Sequence, residues 1–385
     1  MTDSEIVWKE RSAERSARWH SEGGVPAPKR VVVADDTLNA DRAYRLACEG
    51  TAMLWRGDFQ NARLLLQALG RRIDSHKKPP KTAPKSQSEA FHLYRMGQAQ
   101  RARTLGMLLI PFDADHTVPL RRAPDVKEAC MEAYGAVDTP YVTSLRELIG
   151  LIGAHEWRRR GLEVEALGAD KSGAAMRVHA HYGVFAPVRG EYLELVARAP
   201  LPKMDVAFDI GTGTGILAAL LARRGVKRVV ATDNDPRALA CARDNIKRMG
   251  LTEKVEVVEA DLFPPEAMGQ ANLIVCNPPW LPGKPGSPIE RAIYDQDSRM
   301  LKGFLAGLAA RLTPRGEGWL VLSDFAEHLG LRTREELMIL IAAAGLKEVG
   351  RLETRPQHPK SNDQDDPLHG ARKKEVTSLW RLGAV

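Results

Sequence analysis

The chain has 385 residues, a formal net charge of +7, 44% hydrophobic and 27% charged residues, which is enough for two domains with cores of their own. No run is long and apolar enough to span a bilayer, the best being Leu337–Leu346, and the charged start (Asp3, Glu5, Lys9, Glu10, Arg11) lacks the pattern of a signal peptide. The four cysteines (Cys48, Cys130, Cys241, Cys276) are far apart with no CxxC pair, which argues against zinc or another bound metal and against a disulfide framework, and a reducing cytoplasm is the expected setting.

Residues 1–28 are polar with a Gly23-Gly24 break and are expected to be a mobile or loosely docked lead-in. Residues 29–170 read as an N-terminal α+β or α/β domain for substrate recognition. It opens on a short buried strand, Arg30–Ala34, followed by a helix from Leu38 to Ala47 and a second strand, Thr51–Trp55. Asp58 is placed to cap the next helix, through Ala62, Leu65 and Leu69. Residues 75–88, with Lys77-Lys78-Pro79-Pro80-Lys81, can bury little and read as a basic linker. A basic helix at 90–104, an apolar strand at 107–112 and helices at about 126–133 and 143–160 complete this half, which carries no catalytic motif.

The pattern becomes regular in residues 171–385. Strands at 206–210, 229–232, 255–259, 273–276 and 319–322 alternate with helices at 216–224, 236–249 and 298–312. That alternation predicts a Rossmann-like α/β domain, doubly wound around a mostly parallel sheet, with its ligand at the carboxyl edge. Two further strands, 348–353 and 376–382, flank a polar insertion at 354–374 and supply a C-terminal antiparallel addition.

Four motifs sit at the predicted strand ends. The first is Asp209-Ile210-Gly211-Thr212-Gly213-Thr214-Gly215, between a strand and a helix. Glycines there let the backbone approach a ligand, and the helix start supplies N–H dipoles. A nicotinamide site would want glycine at Ile216; this spacing, preceded by an acid, suits a ligand with an ammonium group, and a purely structural turn is the alternative. The second is Thr232-Asp233-Asn234-Asp235. Asp233 is favoured as acceptor for ribose hydroxyls and Asp235 as cap of the helix starting at Pro236. The third is Ala260-Asp261-Leu262-Phe263, where Asp261 could accept from an adenine amino group while Leu262 packs on the ring; a strand-end cap is the alternative.

The fourth, Asn277-Pro278-Pro279-Trp280, follows the strand Leu273–Cys276. Consecutive prolines stiffen the turn and would aim the Asn277 side-chain oxygen and the Pro278 carbonyl into the cleft. An amide or aromatic amine attacks a methyl sulfonium poorly because its lone pair is delocalised. Two fixed acceptors on its N–H bonds favour pyramidalisation as the transition state forms. Trp280 offers a face for a planar target; a Pro-rich loop with a buried Trp is the alternative.

From about Val184 to Leu322 the chain resembles the class I S-adenosylmethionine-dependent methyltransferases of the "small" and HemK-like type, whose signature is (N/D)-P-P-(Y/F/W). That group includes protein-glutamine N5-, rRNA guanine N2- and adenine N6-methyltransferases. The resemblance implies cofactor contacts at Asp209, Gly211, Gly213, Asp233 and Asp261, with Thr212, Gly215, Asn234 and Leu262 in the same pocket. It implies target contacts within Asn277, Pro278, Pro279 and Trp280. Residues 183–191 are similar to the segment that covers the cofactor, making Phe185 and Glu191 further candidates. The sequence departs from the pattern in two ways: Trp280 stands where Tyr is usual, and the first 170 residues do not resemble the helical substrate domain of release-factor enzymes. Glu49–Asp58 is closer to the rRNA guanine enzymes.

An exocyclic base amine in rRNA is the favoured target. The basic balance supports it, with basic clusters at 77–85, 95–103, 158–160 and 373–374. A protein glutamine side chain poses the same nitrogen problem and is the alternative. The oligomeric state is left open.

Overall fold

A computed structural model describes residues 4–76, 84–170, 172–287, 289–356, 363 and 366–385. Residues 77–83 of the expected linker and 357–362, 364 and 365 of the expected insertion lie outside the described residues. The chain forms two compact units, residues 1–85 with 92–156 and residues 86–91 with 157–385.

The first unit is built on a six-stranded sheet. Its elements in chain order are β1 (Glu5–Glu10), β2 (Ala13–Trp19), β3 (Arg30–Ala34), α1 (Ala40–Cys48), β4 (Thr51–Trp55), α2 (Phe59–Ser75) and α3 (Gln87–Leu105). They continue with β5 (Leu108–Phe112), α4 (Lys127–Tyr134), β6 (Tyr141–Ser144) and α5 (Leu145–Arg160), and the strand order is β1-β2-β6-β5-β4-β3. Strands β4 and β5 are buried along their whole length, as expected of near-continuous apolar runs in the middle of a sheet. Asp58 caps α2 as predicted, accepting from the Gln60 amide at 2.9 Å.

Residues 5–19 are not a loose lead-in. They form an antiparallel hairpin at the sheet edge, with Ile6, Trp8 and Trp19 buried. The alternation Glu5-Ile6-Val7-Trp8-Lys9 turns one face inward, and Arg11 and Ser12 both take positive φ in the two-residue turn, a geometry usually signalled by Asn-Gly. Strand β3 also differs from expectation: as the opposite edge it buries only Ala34.

The second unit begins earlier than the expected boundary at 170/171. Val164 and Leu167 belong to its core, and β7 (Leu162–Glu163) pairs with β8 (Arg177–Val178). It continues through α6 (Glu191–Arg198), β9 (Val206–Ile210), α7 (Ile216–Arg223), β10 (Arg228–Asp233), α8 (Pro236–Arg248), β11 (Val255–Glu259) and β12 (Ala271–Cys276). There follow β13 (Leu281–Pro282), β14 (Tyr294–Asp295), α9 (Arg299–Arg311), β15 (Leu312–Ser323), α10 (Phe325–His328), α11 (Arg334–Ala343), β16 (Leu346–Thr354), α12 (His369–Arg372) and β17 (Thr377–Ala384). The seven-stranded sheet has the order β11-β10-β9-β12-β15-β17-β16. Five parallel strands are completed by β17, antiparallel to β15, and β16, antiparallel to β17. This is the expected Rossmann-like arrangement. The winding reverses between β9 and β12, and ligands of such sheets bind at the carboxyl ends beside that reversal.

Candidate active site

Strand register gathers the four motifs. Thr232 pairs with Ile210 and Asp233 with Glu259, while Cys276 lies against Ile210 on the other side. Asp233, the glycine turn, residues 260–262 and Asn277 therefore leave the carboxyl ends of four neighbouring strands. Two residues later in any one strand would turn its motif out of this row.

Asp209 is fully buried at the end of β9. Its Oδ2 accepts from the Thr212 hydroxyl at 2.6 Å and the Ala218 amide at 3.0 Å, whereas its Oδ1 has no hydrogen-bond partner among the described residues. Burial pushes this carboxyl up to about 7, opposed by those two bonds and reinforced by the charge of Asp233. Thr212 is thus a brace for Asp209 and, through its amide to the Thr232 carbonyl at 2.8 Å, for the turn itself. The glycines divide in the same way. Gly213 takes φ +55° with open space where a Cβ would stand, whereas a Cβ on Gly215 (φ +80°) would lie 3.2 Å from the Ala242 Cα on α8. Gly213 leaves room for a ligand; Gly215 lets the turn pack on the helix. At Gly211 (φ +71°) a Cβ would collide with the Met300 methyl.

Asp233 is half-buried and accepts from the Gly213 amide and the Asp235 amide, each at 3.0 Å. Its carboxyl is raised by burial despite these bonds. Asp235 caps α8 as predicted, accepting from the Arg237 amide at 2.9 Å, and Asn234 is exposed. Asp261 is exposed and its carboxylate is held by the Arg299 guanidinium from α9. Leu262 adopts φ +74°, and its carbonyl accepts from the Thr232 hydroxyl at 2.6 Å. Phe185 is 42% exposed on the segment that leads into α6.

Asn277 is half-buried, and Pro278 beside it is buried. The Trp280 indole N–H donates to Asn277 Oδ1 at 2.9 Å, and the ring packs against core residues on both faces of the sheet. Trp280 is thus turned onto the motif's own amide.

Sequence reasoning missed three supporting side chains. Asn245, buried on α8, donates to the Thr214 carbonyl at 3.0 Å and accepts from the His179 amide at 2.8 Å, so it ties the glycine turn to the segment ahead of residue 183. Glu375, 2% exposed, accepts from Arg189 at 3.2 Å and Ser323 at 2.8 Å and anchors the chain entering α6. Tyr192 on α6 is buried, and that burial pushes its hydroxyl above the ordinary tyrosine value. All three read from sequence as ordinary helix or loop residues. Glu191, next to Tyr192, has a buried Oε1 without a partner among the described residues.

A buried carboxyl oxygen without a donor, as at Asp209 and separately at Glu191, is costly to leave unmet and is able to accept from a cation or an N–H-bearing group. Among the described residues no group of three or more His, Cys, Asp or Glu could hold a metal ion, and no helix is long and apolar enough to cross a membrane.

Comparison with known proteins agrees with this geometry. The family model of the methyltransferase small domain matches residues 175–334. The tRNA1(Val) (adenine(37)-N6)-methyltransferase of Shewanella amazonensis is 28% identical over 218 residues, covering 52% of this chain and 92% of that protein. Its Shewanella loihica counterpart is 29% identical over 146 residues, 36% of this chain, and the match spans only 60% of that relative's length. A putative protein N5-glutamine methyltransferase of Methanocaldococcus jannaschii is 29% identical over 43% of this chain and 95% of its own. Residues 175–334 of the second unit thus match a methyltransferase domain, and over this part the chain is similar to enzymes named as methyltransferases of tRNA adenine and of protein glutamine.

Proposed function

We propose that the protein transfers a methyl group from S-adenosylmethionine to a planar amino nitrogen, an exocyclic base amine of RNA and foremost of rRNA. The observation that carries this reading is the position of the Asn277 carboxamide, one strand from the glycine turn and its unmet Asp209 oxygen. When bound, S-adenosylmethionine supplies an electrophilic methyl on a sulfonium. Asp209 and Glu191 would accept from its ammonium group, Asp233 from its ribose hydroxyls and the backbone at Leu262 would border its adenine. Gly211, Gly213 and Phe185 would shape that pocket.

Asn277 Oδ1 has two lone pairs. Trp280 takes one, and the other, with the Pro278 carbonyl, would accept the target's N–H bonds as its nitrogen pyramidalises. No general base is needed before attack, because the proton leaves once the nitrogen carries positive charge.

The preference for RNA rests on the net charge of +7 and on the tRNA enzymes among the relatives. Of the basic clusters, Arg101 is paired with Asp74, and Arg159 and Arg160 lie on the surface beside the exposed Trp157. The glutamine methyltransferase relative supports a second reading, a protein amide, with the same chemistry.

The two separate on incubation of the protein and tritiated cofactor with lysate of a deletion strain, followed by RNase or protease. Label lost to RNase and kept after protease is the expected result. Label that survives RNase and disappears with protease would replace the RNA reading with the amide reading.

A further inference from the structure

The third motif belongs to no helix or strand, and its Leu262 takes φ +74°, a left-handed conformation that a bulky side chain adopts only at a cost. Such a segment has to be held from outside. On one side the fully buried Thr232, at the end of β10, donates its hydroxyl to the Leu262 carbonyl at 2.6 Å. On the other side stands α9.

Residues 299, 303, 307 and 311 of α9 are four apart and so share one face of the helix. They meet residues 261, 262, 263 and 264 in that same order. The Arg299 guanidinium donates to both oxygens of Asp261, from Nη1 to Oδ1 at 3.3 Å and from Nη2 to Oδ2 at 2.5 Å. A Cβ on Gly303 would lie 2.5 Å from Leu262 Cδ1, and one on Gly307 would lie 2.5, 3.0 and 3.2 Å from three atoms of the Phe263 ring. Arg311 donates from Nη2 to the Pro264 carbonyl at 2.8 Å. Two charged side chains therefore hold the ends of the segment, and two glycines leave room for the side chains between them. At the Arg299 end, the neighbouring Met300 methyl stands where a Cβ on Gly211 would, so this end of the face lies at the glycine turn.

We propose that this face of α9 is a positioning element for the adenine end of the cofactor, fixing the Asp261 carboxylate and the left-handed Leu262 backbone that border the base. This rests on the reading of the third motif as the adenine subsite. Arg299 takes one lone pair from each Asp261 oxygen and leaves another on each, so it orients the carboxylate and still leaves it able to accept from the amino group. The Leu262 side chain is taken up by Gly303, which turns the backbone of that residue, rather than its side chain, to the base.

The test is the preference between S-adenosylhomocysteine and S-inosylhomocysteine, in which an oxygen replaces the adenine amino group, with both titrated calorimetrically. Loss of folded protein reduces the number of sites for both ligands and leaves the ratio of their Kd values unchanged, so the ratio reports on positioning alone. The wild type should prefer the adenine compound about 10-fold or more, because the replacement sets an oxygen against a carboxylate. Arg299→Ala removes an exposed side chain and should cut that preference to about threefold or less, the scale of an exposed ion pair. Gly307→Ala should cut it further than Gly303→Ala, since a whole ring edge must move at Phe263 whereas a single methyl can rotate away at Leu262. In a Phe263→Ala background, which removes the obstructing ring, Gly307→Ala should change the ratio by no more than about twofold.

A wild type with no preference for adenine would sink the underlying reading of the third motif, whatever the α9 variants do. A wild type that prefers adenine, with the full preference kept in Arg299→Ala or in Gly307→Ala, would overturn the role given to α9 alone. Arg299→Ala decides the matter even where Gly307→Ala fails to fold.

Discussion

Each unit carries acids close to its sheet, and the two sets differ in whether the chain itself meets their needs. In the first unit Asp58, after β4, is buried, caps α2 and is met by the Arg122 and Arg121 guanidinium groups at 2.6 and 3.1 Å. The hydrogen bond from Arg122 holds it below the usual carboxylate range. Asp36, after β3, accepts from the Asp58 amide and the Asn61 side chain, each at 3.0 Å, and any Cβ on Gly57 would lie 2.6 Å from its Oδ1. That edge is complete within the chain. In the second unit Asp209 and Glu191 each keep a buried oxygen that no described residue meets, and Asp209 is pushed up to about 7. An acid whose needs are met internally is architecture; an acid left wanting a cation is a place for one to arrive.

The sharpest way to break this comparison is to remove the groups on the unmet side. Asn277→Ala should lower single-turnover methyl transfer by about 10³-fold or more while the calorimetric cofactor Kd stays within about threefold; a large loss of cofactor affinity would mean the motif is misassigned. Next in size, Asp233→Ala should weaken cofactor binding by roughly 10- to 100-fold, because a half-buried acceptor for two hydroxyls is lost, with turnover at saturating cofactor much less affected.

Stability sharpens the contrast. The folded Asp209 group sits near 7 against an ordinary 3.8, so below pH 3.8 it is protonated in both states and contributes nothing. Between about pH 4 and 7 the unfolded chain loses that proton first and the ligand-free fold is progressively weakened. Above pH 7 the full penalty stands, at most about 4 kcal/mol. Asp209→Asn should therefore melt higher than wild type in the absence of cofactor, by a margin that grows from pH 5 to pH 7 and then levels off. A margin that shrinks over that range would contradict the assignment. Asp58→Ala should do the reverse in the first unit: a lower melting temperature, with the cofactor Kd within about twofold. Equal behaviour of the two acids would dissolve the comparison.

The parts legible in the sequence were those whose physics is local. The glycine turn and the Asp58 and Asp235 caps, each between its strand and helix, and the Asn-Pro-Pro-Trp corner directly after β12 depend on neighbours a few residues away. The parts missed depend on partners far along the chain or on unusual local geometry. The hairpin of β1 and β2 hides because its outward face is charged and its turn uses Arg11-Ser12. Strand β6 runs straight into α5, so Tyr141–Ser144 has no breaker to mark it. Asp261 is engaged by Arg299, 38 residues away, and Asn245 and Tyr192 lie on buried helix faces where pattern reading sees only core. Trp280 is identifiable as an aromatic in the motif, yet the direction of its N–H is a matter of folding.

The central claim, that the unmet oxygen of Asp209 is where the cationic cofactor lands, is tested most directly by counting protons. Calorimetric titration with S-adenosylmethionine at pH 6, repeated in buffers of different ionisation enthalpy, should show release of close to one proton per site, on the order expected for an acid near 7 driven to its charged form. Asp209→Asn should release none. Binding with no proton exchange in the wild type, or the same release from Asp209→Asn, would contradict the account.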